Sequence, residues 1–185
     1  MNTEMLKLTE KLEETQHEFW NISHQTAEFI SMLIKISNVK NVLEIGTSNG
    51  YSALWIADAL REAGNNGKLT TIEFYEKRQC IARDNIEKCG LSDYVCFRQG
   101  RALEILADLD FVPDLVFIDA NKSEYIQYFN LLKDKLHKGA IVLADNVVSH
   151  APKVADFLEE IKNDERYQSQ VLDLPAGLLM ALKLV

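Results

Sequence analysis

The chain has 185 residues, 47% of them hydrophobic and 26% charged, with a formal net charge of −8. That length suits one domain with a full core, and the acidic balance offers polyanions no attraction, so a nucleic-acid partner is not expected. The three cysteines, Cys80, Cys89 and Cys96, are odd in number and lack CxxC spacing, which speaks against a disulfide frame or a zinc site and for reduced thiols in the cytoplasm.

The opening "MNTEMLKLTEKLEET" alternates acids and bases, with no apolar segment of the signal-peptide kind, and no later window approaches the roughly 20 apolar residues of a membrane span. Residues 4–19 read as a polar helix with a thin apolar stripe (Met5, Leu8, Leu12, Phe19), and Ser23 is placed to cap a second helix carrying Phe29, Ile30, Leu33 and Ile34 on one face. The pattern then changes. "NVLEIG" is an apolar run stopped by glycine and followed by the helical "YSALWIADALREAG". "KLTTIEF" and "EKRQCIARDNIEKCG" repeat the pair, the second helix closed by glycine. "YVCFRQ", a helix at 101–109, a strand at 114–119, a helix at 123–136 and a strand at 140–145 complete the series. Five strands alternating with helices call for a mostly parallel sheet covered on both faces, an α/β fold. After a helix at about 151–163, "YQSQVLDL" and "LLMALKLV" are separated only by "PAG", so the sheet should finish with an antiparallel pair. The expected organisation is one domain over 1–185, with N-terminal helices at 1–37 and a sheet core at 38–185; the first 22 residues are the one segment that reads as an appendage.

In "LEIGTSNGYS", Gly46 and Gly50 stand between a strand and a helix, where glycine permits a tight turn and close approach to a ligand. The second strand ends in Glu73, an acid placed either to accept both hydroxyls of a ribose or simply to meet solvent. The GxxxG spacing departs from the GxGxxG of dinucleotide binders. Glu44 lies inside an apolar strand and needs a partner, either a ligand's cationic group or a cluster of backbone amides.

The strands "LVFI" and "AIVLA" end in bare polar groups: Asp119, followed by Lys122, and Asp145 with Asn146. If these strands are neighbours, two carboxylates and an amide oxygen converge beyond their carboxyl ends, where open α/β sheets bind ligands. Such a hard, all-oxygen, incomplete shell suits Mg²⁺, with Ca²⁺ and Mn²⁺ as alternatives. The competing reading is that these residues merely begin loops and cap the helices that follow.

Taken together, "LEIGTSNGYSALWIA", "TIE", "FIDANKSEY" and "LADNVVSH" resemble the cation-dependent O-methyltransferases, the family of catechol and caffeoyl-coenzyme A O-methyltransferases and their bacterial relatives, from about residue 23 to the C-terminus. The resemblance implies the Rossmann-like methyltransferase fold, a seven-stranded sheet with its last strand inserted antiparallel. It implies S-adenosylmethionine as cofactor. Glu44, Gly46, Thr47, Ser48, Tyr51 and Ser52 would line its methionine end, Glu73 would hold its ribose and Phe74 would lie beside its adenine. Gly100 and Ala102 would sit in the adenine-side loop, Ala102 where the family often offers a hydrogen-bonding side chain. Asp119 counts in both the cofactor set and the metal set, the latter with Asp145 and Asn146. Lys122 would be the general base, or else an ordinary solvated lysine at a helix start.

The implied reaction is methyl transfer to a hydroxyl of a small acceptor with adjacent oxygens, catechol-like, by a homodimer in the cytoplasm. Two alternatives stand beside it: methylation of a hydroxylated tRNA base by the same site, and a nucleotide-binding protein without methyl transfer. Known members have a longer N-terminal segment and an insertion after the fifth strand, so the pocket here should be more open or completed by a partner chain. His150 either bonds substrate or begins a helix, Tyr125 lines the pocket or packs, Trp55 reads as core, and Phe19 and Trp20 read as a substrate wall or a dimer contact.

Overall fold

The computed structural model describes residues 3–185. Helices α1 (Thr3–Glu14), α2 (Gln16–Phe19) and α3 (His24–Ser37) lead into β1 (Asn41–Ile45), α4 (Tyr51–Ala63), β2 (Lys68–Glu73), α5 (Glu76–Lys88) and β3 (Val95–Gln99). Then follow α6 (Ala102–Ala107), β4 (Leu115–Ile118), α7 (Tyr125–Leu132), β5 (Ile141–Ala144), α8 (Ala155–Asn163), β6 (Tyr167–Leu172) and β7 (Leu178–Lys183).

The seven strands form one sheet in the order β3-β2-β1-β4-β5-β7-β6. The first five run parallel, while β7 is antiparallel to both β5 and β6. The fold is thus the mostly parallel α/β sheet with antiparallel C-terminal strands that the sequence and its resemblance led us to expect. β1, β4 and β5 have little or no polar alternation because both faces are covered. Along β1, Val42 packs into the layer of α1, α3, α4 and α5, while Leu43 and Ile45 pack into the layer of α6, α7 and α8. Period-2 alternation therefore sends Glu44 to the α4 side.

Local signals explain most helix ends. Ser23 caps α3, its hydroxyl accepting the Thr26 N–H. The helix expected at 4–19 is broken at Thr15, whose hydroxyl donates to the Leu12 carbonyl. The helices expected from 123 and 151 start later, because single 3-10 turns at Lys122–Glu124 and Ala151–Lys153 precede them. The first helices pack on the core: Met5, Thr9 and Leu12 are buried, and the Glu13 carboxylate accepts from the Tyr51 hydroxyl at 2.6 Å and meets His24 Nδ1 at 2.9 Å. Trp55 is buried in this layer, edge-on to His24.

Strand order reverses between β1, which leads outward to β2 and β3, and β4, which leads to β5. Connections depart to opposite sides there and leave a crevice beyond the strand tips.

Candidate active site

A cavity of about 450 Å³ occupies that crevice. The first wall is the loop after β1. Gly46 has φ +106°, and a β-carbon there would collide with the Asp119 carbonyl, 2.8 Å from its carbon. Only glycine lets the tips of β1 and β4 close up this far. Ser48, itself at φ 48°, donates its N–H to Glu73 Oε2 at 2.8 Å and its hydroxyl to the Phe19 carbonyl at 2.8 Å. Glu73 Oε1 accepts the Tyr75 N–H at 2.8 Å. Each Glu73 oxygen keeps acceptor capacity for a ligand hydroxyl.

These bonds belong to a closed ring around the mouth. The Arg78 guanidinium lies 5.5 Å from the Tyr75 ring centroid and 4.8 Å from that of Trp20. Trp20, left-handed at φ 57° and largely exposed, leads back through Phe19 to Ser48. Arg78 has no carboxylate partner among the described residues, so the stack on the two rings is what holds it. The sequence did not flag Arg78; only the approach of the first helices to α5 brings it to the mouth.

Gly46, Thr47, Ser48, Tyr51, Ser52, Glu73, Phe74, Gly100, Ala102 and Asp119 all line the cavity. Glu44 does not. The sequence expected it to meet a ligand cation or backbone amides; instead Ser52 Oγ donates to Oε1 and Thr71 Oγ1 to Oε2, each at 2.5 Å. Since the Thr71 proton is committed to Glu44, the Thr47 hydroxyl must donate in turn to Thr71, 2.5 Å away. Glu44 acts from behind the wall, fixing Thr47 and Ser52 in it. Burial pushes its carboxyl up to about 7, against the opposing pull of these hydroxyls and with help from the charges of Asp119 and Glu73.

The second wall starts at the tip of β4. Lys122 Nζ donates to Asp119 Oδ1 at 2.7 Å, and both residues line the cavity. One strand over, Ile118 pairs with Ala144 and the Asp145 N–H bonds to the Ile118 carbonyl at 3.0 Å, so Asp119 and Asp145 leave adjoining tips side by side. Asp145 and Asn146 stand just outside the cavity wall. Asp145 is buried, and its Oδ1 has no hydrogen-bond partner. Desolvation, then the Asp119 charge, lifts its carboxyl well above the usual carboxylate range, eased by the Asn146 N–H and Lys122. Neither acid caps a helix: Asn121 caps the turn after β4, and His150 and Val154 take the cap positions after β5.

A buried carboxylate with an orphaned oxygen beside a second carboxylate is costly unless a cation sits between them. Among the described residues no three His, Cys, Asp or Glu side chains gather into a metal-sized cluster. The set here, two carboxylates and the Asn146 amide, is one of oxygen donors, and it fits a hard divalent cation.

Tyr125 packs under this corner, fully buried, its hydroxyl donating to the Asp145 carbonyl at 3.2 Å. The loop carrying Asn146 (φ 63°) is tied to the hairpin turn: Val147 N–H bonds Gly177, and Val148 and Ser149 N–H bond Ala176. His150 is outside the cavity wall, bonded to Ser149 Oγ at 3.0 Å. Glu124 and Tyr128 line the cavity as well; the sequence alone did not mark them.

The pattern of the O-methyltransferase family matches residues 2–184. The chain belongs to that family. It is 36% identical over 148 residues to a catechol O-methyltransferase of Niastella koreensis, covering 78% of this chain and 66% of the relative. It is 37% identical over 128 residues to one of Mycobacterium tuberculosis, covering 69% and 57%, and 33% identical to caffeoyl-CoA O-methyltransferase 2 of Petunia hybrida, covering 86% and 69%. The chain thus spans less than two thirds of the length of those two bacterial relatives. Among solved structures, an O-methyltransferase from Bacillus cereus in complex with SAH superposes with TM-score 0.83 at 31% identity over 97% of this chain and 89% of that one. TomG from Streptomyces achromogenes, in complex with SAM, gives 0.86 at 26% identity over 100% and 91%. No helix among the described residues is long and apolar enough to cross a membrane.

Proposed function

We propose that this O-methyltransferase transfers the methyl group of S-adenosylmethionine to a hydroxyl of a small acceptor with adjacent oxygens, catechol-like, with the help of a divalent cation, Mg²⁺ first. The observation that carries the reading is the orphaned, buried Asp145 Oδ1 at a strand tip adjoining Asp119, with Lys122 Nζ 2.7 Å from Asp119 Oδ1.

In this reading Glu73 accepts the ribose hydroxyls, Phe74 lies against the base, and Gly46, Thr47, Ser48, Tyr51 and Ser52 form the wall along the methionine end. Asp119, Asp145 and Asn146 would hold the cation, which when bound acidifies the acceptor hydroxyl and fixes the direction of its oxygens. Lys122 takes the hydroxyl proton at Nζ, leaving the oxygen to attack the methyl carbon as the C–S bond breaks and S-adenosylhomocysteine departs. The chain's remaining contribution is alignment. The Gly46–Asp119 contact fixes the distance between the cofactor wall and the acceptor wall, and aligned reactants reach effective molarities of about 10⁵ M or more. The support from relatives is that the chain is similar to enzymes named for catechol and caffeoyl-CoA, and to structures holding SAH and SAM. A cytoplasmic homodimer belongs to the same proposal.

The test is methyl transfer from labelled S-adenosylmethionine to catechol with and without Mg²⁺. Activity should vanish in excess EDTA and in Asp145→Ala, while calorimetric binding of S-adenosylhomocysteine survives in both. Full turnover in EDTA removes the cation from the mechanism.

A further inference from the structure

Next to Glu73, whose carbonyl accepts the Gly100 N–H at 2.9 Å, the cavity is lined by Phe74, the start of α6 and the β4–α7 segment. Here Gly100, Ala102 and Leu103 bring no side-chain hydrogen-bonding group to the wall. Arg101 is turned to Glu104, 3.6 Å away, and is mostly exposed. Among the side chains of α6 and the β4–α7 segment that line this space, one is an acid able to accept from the amino group of a purine base. That acid is Glu124.

Glu124 occupies the N-cap position of α7, yet its side chain makes no capping bond. Its carboxylate is drawn aside instead: the Tyr128 hydroxyl donates to Oε2 at 2.6 Å. Tyr128 is buried in the α6–α7 layer, with Leu106 and Tyr125 in the same cluster, so the clamp is rigid. Oε1 has no partner among the described residues. A half-buried carboxylate oxygen held at a cavity wall in this way is an acceptor waiting for a donor.

We propose that Glu124, positioned by Tyr128, accepts a hydrogen bond from the exocyclic amino group of the cofactor's adenine and makes this wall selective for a 6-aminopurine. The inference rests on the cofactor reading above, in which Glu73 holds the ribose. A ribose at Glu73 with the methionine end along the β1 loop leaves this end of the cavity for the base. Because Gly100, Ala102 and Leu103 bring no acceptor side chain, and Arg101 and Lys122 can only donate, Glu124 supplies most of the discrimination at that position.

The experiment is a calorimetric comparison of S-adenosylhomocysteine with its analogue lacking the 6-amino group, each titrated into the wild-type protein, Glu124→Ala, Glu124→Gln and Tyr128→Phe. Wild type should prefer the amino-bearing ligand by about tenfold or more, the scale of a hydrogen bond to a charged group. Glu124→Ala should bind the two ligands alike. Glu124→Gln, whose amide oxygen still accepts, should keep part of the preference, and Tyr128→Phe should reduce it by loosening the carboxylate. A general packing defect would instead weaken both ligands by the same factor, and that result, or an unchanged preference in Glu124→Ala, overturns the assignment. Binding of neither ligand by wild type would overturn the cofactor reading itself, a separate outcome from the first.

Discussion

Gly46 and Asp119 touch backbone to backbone across the point where the sheet reverses, with no room for a β-carbon between them. The contact sets how closely the tips of β1 and β4 approach, because one residue opens the loop after β1 and the other the loop after β4, and both line the cavity. Gly46→Ala must adopt φ +106° and also displace the Asp119 carbonyl. We expect it to lose at least about 2 kcal/mol of stability and most of its affinity for S-adenosylhomocysteine. Gly64→Ala is the control, since Gly64 also has positive φ (+65°) but nothing within 4 Å of an added β-carbon; it should cost about 1 kcal/mol and leave binding intact. Urea unfolding and calorimetry on both variants check this.

Lys122→Met keeps the bulk of the side chain and removes the amine. With Nζ as the proton acceptor, kcat should fall by about 10²–10⁴-fold while S-adenosylhomocysteine affinity changes little. A variant that turns over at the wild-type rate at pH 7 would exclude Lys122 from proton transfer.

A cation that satisfies the orphaned Asp145 oxygen must stabilise the folded chain. Millimolar Mg²⁺ should raise the melting temperature of wild type and leave Asp145→Ala unmoved, by the linkage RT ln(1 + [L]/Kd). Scanning fluorimetry over a Mg²⁺ series, with K⁺ at equal ionic strength for comparison, decides it.

At the opposite, amino-terminal end of the central strands, His137 Nε2 meets Asp114 Oδ1 at 2.9 Å, and Asp114 Oδ2 accepts the N–H groups of Lys40 and Asn41. The Lys138 carbonyl, then Asp114, raise the His137 pKa; burial opposes the shift in Asp114, but its backbone hydrogen bonds and His137 lower it overall. A histidine with a raised folded pKa contributes stability that is complete below its unfolded pKa, about 6.5, and is lost as pH rises through the folded value. The stability gap between wild type and His137→Gln should therefore be widest near pH 5.5 and close above neutrality. Asp114, lowered, keeps its contribution until the pH falls through its own folded pKa. Urea midpoints of both proteins from pH 5 to 8.5 measure the gap; a gap that widens with pH contradicts the assignment.

Tyr51→Phe removes the hydroxyl that bonds Glu13 and so unties α1 from α4. We expect a loss of about 1 kcal/mol and faster amide exchange across Thr3–Glu14, with the β1 strand unaffected. Exchange followed by mass spectrometry reads both regions in one experiment.

Much of this was legible in the residues. Apolar runs that stop at Gly46, Asp119 and Asp145 marked the strand tips, since buried strands leave nothing else for a polar residue to do. The antiparallel finish followed from "PAG" between two strand-like runs. The parts that stayed hidden need strand register. Glu44 finds Thr71 because β1 and β2 pair those two residues directly, and no local pattern announces a hydroxyl 27 positions away. Arg78, Glu124 and Tyr128 look like ordinary helix residues until the sheet order brings α5, α6 and α7 around one opening. The two late helix starts arose from 3-10 turns, which share the polar, turn-prone composition of a helix's first turn.

Just after Asp145 and Asn146, the N–H groups of Val147, Val148 and Ser149 donate to the carbonyls of Gly177 and Ala176, and β5 completes its pairing only with β7. Gly177, at φ +79°, fits so tightly that a β-carbon would come within 2.7 Å of the Val148 β-carbon. The brace for this corner therefore comes from the turn joining β6 to β7, well removed in sequence from the loop it holds, so a substitution in that turn would disturb the Asp145–Asn146 corner without touching either residue.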